Sequence, residues 1–248
     1  MKKKAIIGLL IILVIYFVVI FSLNNKGKTD KSNDNYVIFN NLNLVHQEHS
    51  LTETEKTNIT NYKGKFETFI NGTYFGEYNL EAGNVWNLFD NNNFVKYDGK
   101  LLAVVPRLKD NVITYTNSSI SQSDRNYIES KYKINKYDYL TDSGAYTFKV
   151  NDDEYKIIIL NYLDSTTFDP VNNYNLVIVK RNDKYIELSF NKKDAIKIYD
   201  IIGIVEFNDN KDIYIGFNVT SNINTDIEKE QDVVYKLENN RLKKVVSN

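Results

Sequence analysis

Six times along the chain, runs in which apolar and polar residues alternate are broken by a short polar turn. They are FETFI-NG-TYFGEY around Asn71-Gly72, NFVKY-DG-KLLAVV around Asp98-Gly99, YTFKV-NDDE-YKIIIL over 146–160, NLVIVK-RND-KYIELSF over 175–190, IIGIVEF-NDNK-DIYIGFNV over 201–219 and VVYKL-ENN-RLKKVV over 233–246. Alternation with period two is the signature of a strand with one face toward a core, and Val, Ile, Tyr, Phe and Thr fit a pleated surface. Asn-Gly and Asp-Gly tolerate the positive φ that two-residue hairpins demand. The pattern predicts a mostly β, antiparallel, hairpin-rich domain.

Two stretches show helical signals instead. SQSDRNYIESKYKI (121–134) offers Ser123 as a cap and Asp124 in the first turn, where a carboxylate suits the helix dipole. SLTETEKTNI (50–59) places Ser50 and Glu53 at capping-box spacing. The hairpin centres fall near 72, 98, 152, 182, 209 and 239, mostly 27 to 30 residues apart with one doubled gap that holds the longer helix. Such spacing fits a small irregular propeller; a sandwich or open barrel with one or two short helices accounts for it as well. No Trp-Asp pair and no repeated glycine position marks a blade.

Ahead of all this, Ala5 to Leu23 is a run of 19 uncharged residues dominated by Ile, Val, Leu and Phe. As a helix it spans roughly 28 Å, a full bilayer crossing, and it has no polar face. A secretory signal has a shorter apolar region and small residues at its cleavage site; here Phe21 and Leu23 are bulky, which predicts an uncleaved transmembrane anchor. Lys2, Lys3 and Lys4 keep the short N-terminus (1–4) cytoplasmic, and the long downstream part translocates. Residues 24–35, NNKGKTDKSNDN, read as a flexible tether, and 36–248 as the extracytoplasmic β domain of a single-pass cell-membrane protein.

Composition narrows the setting. Beyond Lys31 there remain 25 basic and 31 acidic residues, a charge near −6, which disfavours a nucleic-acid partner. The absence of cysteine removes disulfides, so the exported part relies on a hydrophobic core. Export without disulfides, with heavy use of Lys, Asn, Ile and Tyr, fits a bacterial cell envelope.

Candidate chemistry is sparse. His46-Gln-Glu-His49 holds the only two histidines, with Glu48 between them, but no third or fourth ligand on a rigid element; solvated side chains are expected and no metal or other cofactor is predicted. The Asp142-Ser143-Gly144 step lacks the surroundings of a nucleophile, and Ser130-Lys131-Tyr132-Lys133 lacks the companion motifs of a serine–lysine enzyme. Glu154, Asp164, Asp169, Glu187 and Glu206 are available as carboxylates for glycoside hydrolysis, at separations the sequence does not fix. No catalytic residue is assigned.

The aromatic content points further. With 19 tyrosines in the chain, TYFGEYNLEAGNVWNLF (73–89) is especially dense. If Phe75 and Leu80 face inward, Tyr74, Tyr78 and the single tryptophan, Trp86, are left to form a ligand-binding aromatic face, since Tyr and Trp present a flat apolar surface with a polar handle. The sequence therefore predicts a membrane-anchored extracytoplasmic binding module with an envelope protein or glycan as partner. The alternative is an envelope hydrolase directed at glycan or peptide.

Overall fold

The computed structural model divides into Met1–Asn35 and a compact unit, Tyr36–Asn248. It describes residues 36–44, 49–134, 139–140, 144–163, 174–182, 184–187, 197–207, 212–222, 228–238 and 241–247. The tail, anchor and tether (1–35), His46, Glu48, Ser143, Asp164 and Asp169, and the side chains of His49 and Glu187, lie outside the described residues. Among the described residues no helix is long and apolar enough to cross a membrane.

The unit is mostly β, with antiparallel sheets and few short helices. The first sheet contains β1 (Val37–Phe39), β2 (Leu42–Asn43), β3 (His49–Ser50), β4 (Phe66–Ile70), β5 (Thr73–Glu81), β6 (Asn87–Asp90), β7 (Asn93–Val95) and β8 (Leu101–Val104), in the order β3-β2-β1-β8-β4-β5-β6-β7. The second contains β9 (Thr116–Ser118), β10 (Tyr139–Leu140), β11 (Gly144–Val150), β12 (Asp153–Leu163), β13 (Tyr174–Arg181) and β14 (Lys184–Glu187), in the order β14-β13-β12-β11-β9 with β10 also on β12. The third is a plain meander of β15 (Lys197–Phe207), β16 (Asp212–Asn222), β17 (Glu228–Glu238) and β18 (Arg241–Ser247). Helix α1 (Glu53–Thr60) and helix α2 (Gln122–Tyr132) complete the regular elements, with a short 3₁₀ helix at Pro106–Asn111.

The third sheet is apolar on both faces, which explains why its strands read as nearly continuous apolar runs. One face, with Ile204, Ile213, Ile215, Phe217 and Val233, shares a core with Phe148, Ile157, Ile159 and Val179 of the second sheet. The other, with Ile202, Val205, Tyr214 and Val234, shares a core with Val37, Phe39, Leu102 and Val104 of the first. The remaining face of the first sheet buries Ile38, Phe66, Leu88 and Ala103 with Ile59 of α1, and that of the second buries Ile158, Leu160 and Ile178 with Ile128 of α2.

At one point the first and third sheets come unusually close. Gly203 and Gly216 are cross-strand partners on β15 and β16, and Phe39 and Leu102 are partners on β1 and β8. The second pair rests on the first: a Cβ on Gly216 would collide with the Phe39 ring, and one on Gly203 would stand 2.6 Å from Leu102 Cδ2. Neither glycine has a left-handed backbone, so the requirement is for space alone.

Several expectations need correction. The Asp98-Gly99 hairpin does not form, since β8 pairs with β1 and β4 instead of β7. Its four residues are all buried and suit an inner strand, while β7 turns back onto β6 through Asn91 and Asn92, both at positive φ. The Asn71-Gly72 hairpin forms as expected, with both residues at positive φ, and turns at Asn151 and Asn182 likewise close β11–β12 and β13–β14. Strands β15 and β16, and β17 and β18, pair as the fifth and sixth patterns predict. The cap of α2 is Ser121 rather than Ser123: its Oγ accepts from the Asp124 N–H at 3.1 Å. The capping box of α1 is Thr52 with Glu55, because Ser50 is taken into β3 and donates its hydroxyl to the Ser247 carbonyl at 3.2 Å.

Asp124 also does more than answer a dipole. It is 1% exposed and accepts from Lys156 Nζ at 2.8 Å, Lys180 Nζ at 3.0 Å and Tyr185 Oη at 2.7 Å, so α2 is pinned to the outer face of the second sheet. Burial alone would push its carboxyl up; the hydrogen bonds from Lys156, Tyr185, Ser121 and Lys180 outweigh burial and hold it well below the usual carboxylate range.

Candidate functional site

The turn between β1 and β2 consists of Asn40 and Asn41. Asn40 adopts φ 47°, a left-handed conformation that asparagine accepts more readily than most residues. This aims its side chain across the end of the first sheet. Its N–H donates to the Leu101 carbonyl and its Oδ1 accepts from the Leu101 N–H, both at 2.8 Å, which locks the turn onto β8. Its Nδ2 donates to Asp232 Oδ1 on β17 at 3.0 Å, and its carbonyl accepts from Trp86 Nε1 at 2.7 Å. One asparagine thus joins two sheets and the loop that carries the tryptophan.

Around this junction lies a cleft of ≈ 190 Å³, walled by Val85, Trp86 and Tyr97 on one side and by residues of β16 and β17 on the other. At its base, Asn218 and Asp232 are register partners, and Asn218 Nδ2 donates to Asp232 Oδ1 at 2.9 Å. Each is only 3% exposed. Because a carboxylate only accepts, the asparagine amide must turn its nitrogen toward it. That leaves Asn218 Oδ1 buried with no hydrogen-bond partner. Glu230, two residues before Asp232, shares its strand face and stands 3.5 Å from Lys100 Nζ. Tyr97 Oη donates to the Trp86 carbonyl at 2.7 Å, and burial pushes that hydroxyl's pKa up.

Of the expected aromatic face, Trp86 reaches this cleft, but as part of its buried wall: it is 4% exposed and packs in the core under α1. Tyr74 and Tyr78 are elsewhere, and apart from each other. Strands β4 and β5 pair Phe66 with Tyr78 and Phe69 with Tyr74, with a register shift between Thr68 and Phe69. Phe66 belongs to the core under α1 and Phe69 to the core against the third sheet, so the irregularity sends the two tyrosines to opposite faces. Tyr74 is 44% exposed, lies edge-on to Phe69 with ring centroids 5.4 Å apart, and has Lys109 Nζ 4.4 Å above its ring. Its hydrogen bond to Glu67 pushes its hydroxyl up. Tyr78 is half-buried beside Phe75, at a ring separation of 5.5 Å. Phe75, expected inward, is exposed.

The other candidates stay dispersed. Ser130 and Lys133 are exposed at the end of α2, Glu154 is exposed beside the β11–β12 turn, and Glu206 is half-buried on β15. Among the described residues no group of three or more His, Cys, Asp or Glu side chains is placed to hold a metal ion.

Sequence reasoning passed over Asn40, Asn218, Glu230 and Asp232. The signal was present for one of them: Asn218 interrupts IYIGF-N-V, a run that is otherwise apolar on both faces. A buried polar group inside such a run must be hydrogen-bonded or must serve a ligand. Comparison with protein-family models, with curated proteins and with solved structures returned no match.

Proposed function

We propose that the chain is a single-pass, membrane-anchored binding module, with its N-terminus cytoplasmic and residues 36–248 in the extracytoplasmic space, and that the Asn40–Trp86–Asn218–Asp232 cleft receives its ligand. The observation that carries the reading is the base of the cleft: two nearly fully buried polar residues, one with an unpartnered acceptor, opening to a concave surface. Concave sites with a few converging polar groups on an apolar wall are the usual form of a ligand pocket. The shared cores of the three sheets support a layered sandwich over a propeller, with the third sheet between the other two.

Because the chain has no cysteine, Val85→Cys provides a unique handle on the cleft wall, where Val85 is 65% exposed. With a thiol-directed crosslinker on intact membranes, position 85 should yield a specific adduct. Lys243→Cys, on an exposed position of β18, should not. Equal labelling from both positions sinks the cleft as the site. The anchor has its own check: protein from the membrane fraction should retain Met1 or Lys2 by intact mass. A mature N-terminus between Ser22 and Lys31, with release into the medium, refutes anchoring.

A second reading, a glycan-directed hydrolase, has one observation in its favour: two carboxylates, Glu230 and Asp232, line the same cleft. It requires turnover of an envelope glycan by the purified chain that is lost in Glu230→Gln.

A further inference from the structure

We propose that the cleft takes an organic ammonium group. This rests on the reading of the cleft as a ligand site and names the chemistry it selects.

At the base, the donors are turned toward acceptors of the protein itself, each amide nitrogen giving one of its two N–H groups to the buried carboxylate. Asn40 Nδ2 and Asn218 Nδ2 both point at Asp232 Oδ1, Trp86 Nε1 is given to the Asn40 carbonyl, and Tyr97 Oη to the Trp86 carbonyl. Gln231, between the two carboxylates, turns its side chain to the opposite face of β17. The residues that line the cavity are rich in acceptors: Asn218, whose buried Oδ1 has no hydrogen-bond partner, Asp232 paired with it, and the more exposed Glu230. Lys100, the one cation among the lining residues, is drawn to Glu230, and two carboxylates against one ammonium leave the lining at formal charge −1.

A ligand here must therefore bring N–H donors and positive charge. An ammonium group has three donors and no acceptor, which matches an unpartnered buried acceptor set between two carboxylate-bearing residues. A sugar hydroxyl brings no charge to offset the carboxylates, and an anion meets like charge. The Trp86 and Tyr97 rings supply the apolar, π-bearing wall against which the carbon stem of an alkylammonium packs. The shared chemistry has two sources, a small free amine or a lysine side chain of a partner protein.

The test uses Trp86, the sole tryptophan, as reporter. The full chain in detergent is titrated at constant ionic strength with butylammonium chloride, with a tri-lysine peptide, and with methyl β-D-glucopyranoside as a neutral polyol, following Trp86 emission. The obvious variant, Asp232→Asn, also disturbs the bonds of Asn40 and Asn218, so the informative ones are Lys100→Gln and Glu230→Gln at the partly exposed ion pair. Saturable emission changes with butylammonium or tri-lysine are expected. Affinity should tighten about three- to tenfold in Lys100→Gln and weaken by a similar factor in Glu230→Gln. A gain of affinity on removing a cation is a result that misfolding does not imitate. Response to butylammonium identifies the small-amine source, and response to tri-lysine alone the protein source; both support the inference. Response to the glycoside alone overturns the ammonium inference and leaves the cleft as a binding site. Weaker amine binding in Lys100→Gln, or no response to any probe, also overturns it, and in the last case the crosslinking at position 85 decides separately whether the cleft binds anything.

Discussion

Replacing Gly216 by valine is expected to destabilise the folded unit by about 3 kcal/mol or more, at the upper end of what overpacking costs in a filled core. The cause is the glycine pair on β15 and β16. Phe39 and Leu102 lie directly over Gly216 and Gly203, and there is no room for a Cβ between them. The Phe39 ring has nowhere to swing, being wholly buried among Val37, Val104 and Val234. Urea denaturation of the full chain measures the loss. Two comparisons make the reading specific. Gly144→Ala, where a Cβ meets nothing nearer than 3.4 Å, should change stability by less than about 0.5 kcal/mol. Phe39→Leu combined with Gly216→Ala should lose less than the sum of the two single changes, because the smaller side chain vacates the space the new methyl needs. Strict additivity would show that the two sheets are not in contact through this pair.

The second large effect is expected at Asp124→Asn: a loss of about 3–5 kcal/mol at neutral pH, the range for breaking a buried ion pair by removing one partner. Lys156 and Lys180 converge on the carboxylate, with side chains only 16% and 20% exposed, and the neutral amide leaves both without a counter-charge. The pH dependence has a definite sign. The Asp124 carboxyl titrates below its unfolded value, so its contribution is complete above the ordinary aspartate pKa, about 4, and fades as pH falls through the folded value. The gap between wild type and Asp124→Asn should be widest at pH 6–8 and should narrow below pH 4. Thermal melts at both ends of that range measure it, and a gap that widens on acidification would contradict the ion-pair account. Lys156→Met and Lys180→Met should each cost less than Asp124→Asn, since the other ammonium remains.

The residues that could be placed from sequence were those whose partners are near in the chain. Asn71-Gly72, Asn151 and Asn182 sit in turns a few residues wide, and their backbone preference is a local property. What escaped was decided at long range. KLLAVV reads equally well as the second arm of a hairpin or as an inner strand, and only the distant β1 makes it the latter. The tyrosines of TYFGEY looked like neighbours because alternation puts positions four apart on one face, until a one-residue irregularity moved Tyr74 to the other side. Asp124 showed its place in the helix but not the two lysines, 32 and 56 residues on, that define its chemistry. The cleft is the extreme case. Its components come from the β1–β2 turn, the loop before β6 and the last meander, and nothing in their spacing links them.

The bond from Asn40 to Asp232 spans 192 residues. At a ribosome moving about 5–20 residues per second, the newly made Asn40 waits roughly 10–40 s for its partner to be synthesised. The bed for Phe39, Gly216, is similarly late. Once β8 has been made, β1, β8 and β4 can pair, yet for the rest of that interval the apolar face of Val37, Phe39, Leu102 and Val104 lacks its cover from the third sheet. The growing chain therefore carries an unshielded, aggregation-prone sheet until the strands of the third sheet have been made, and any nascent fragment that stops short of β16 is a natural client for a chaperone.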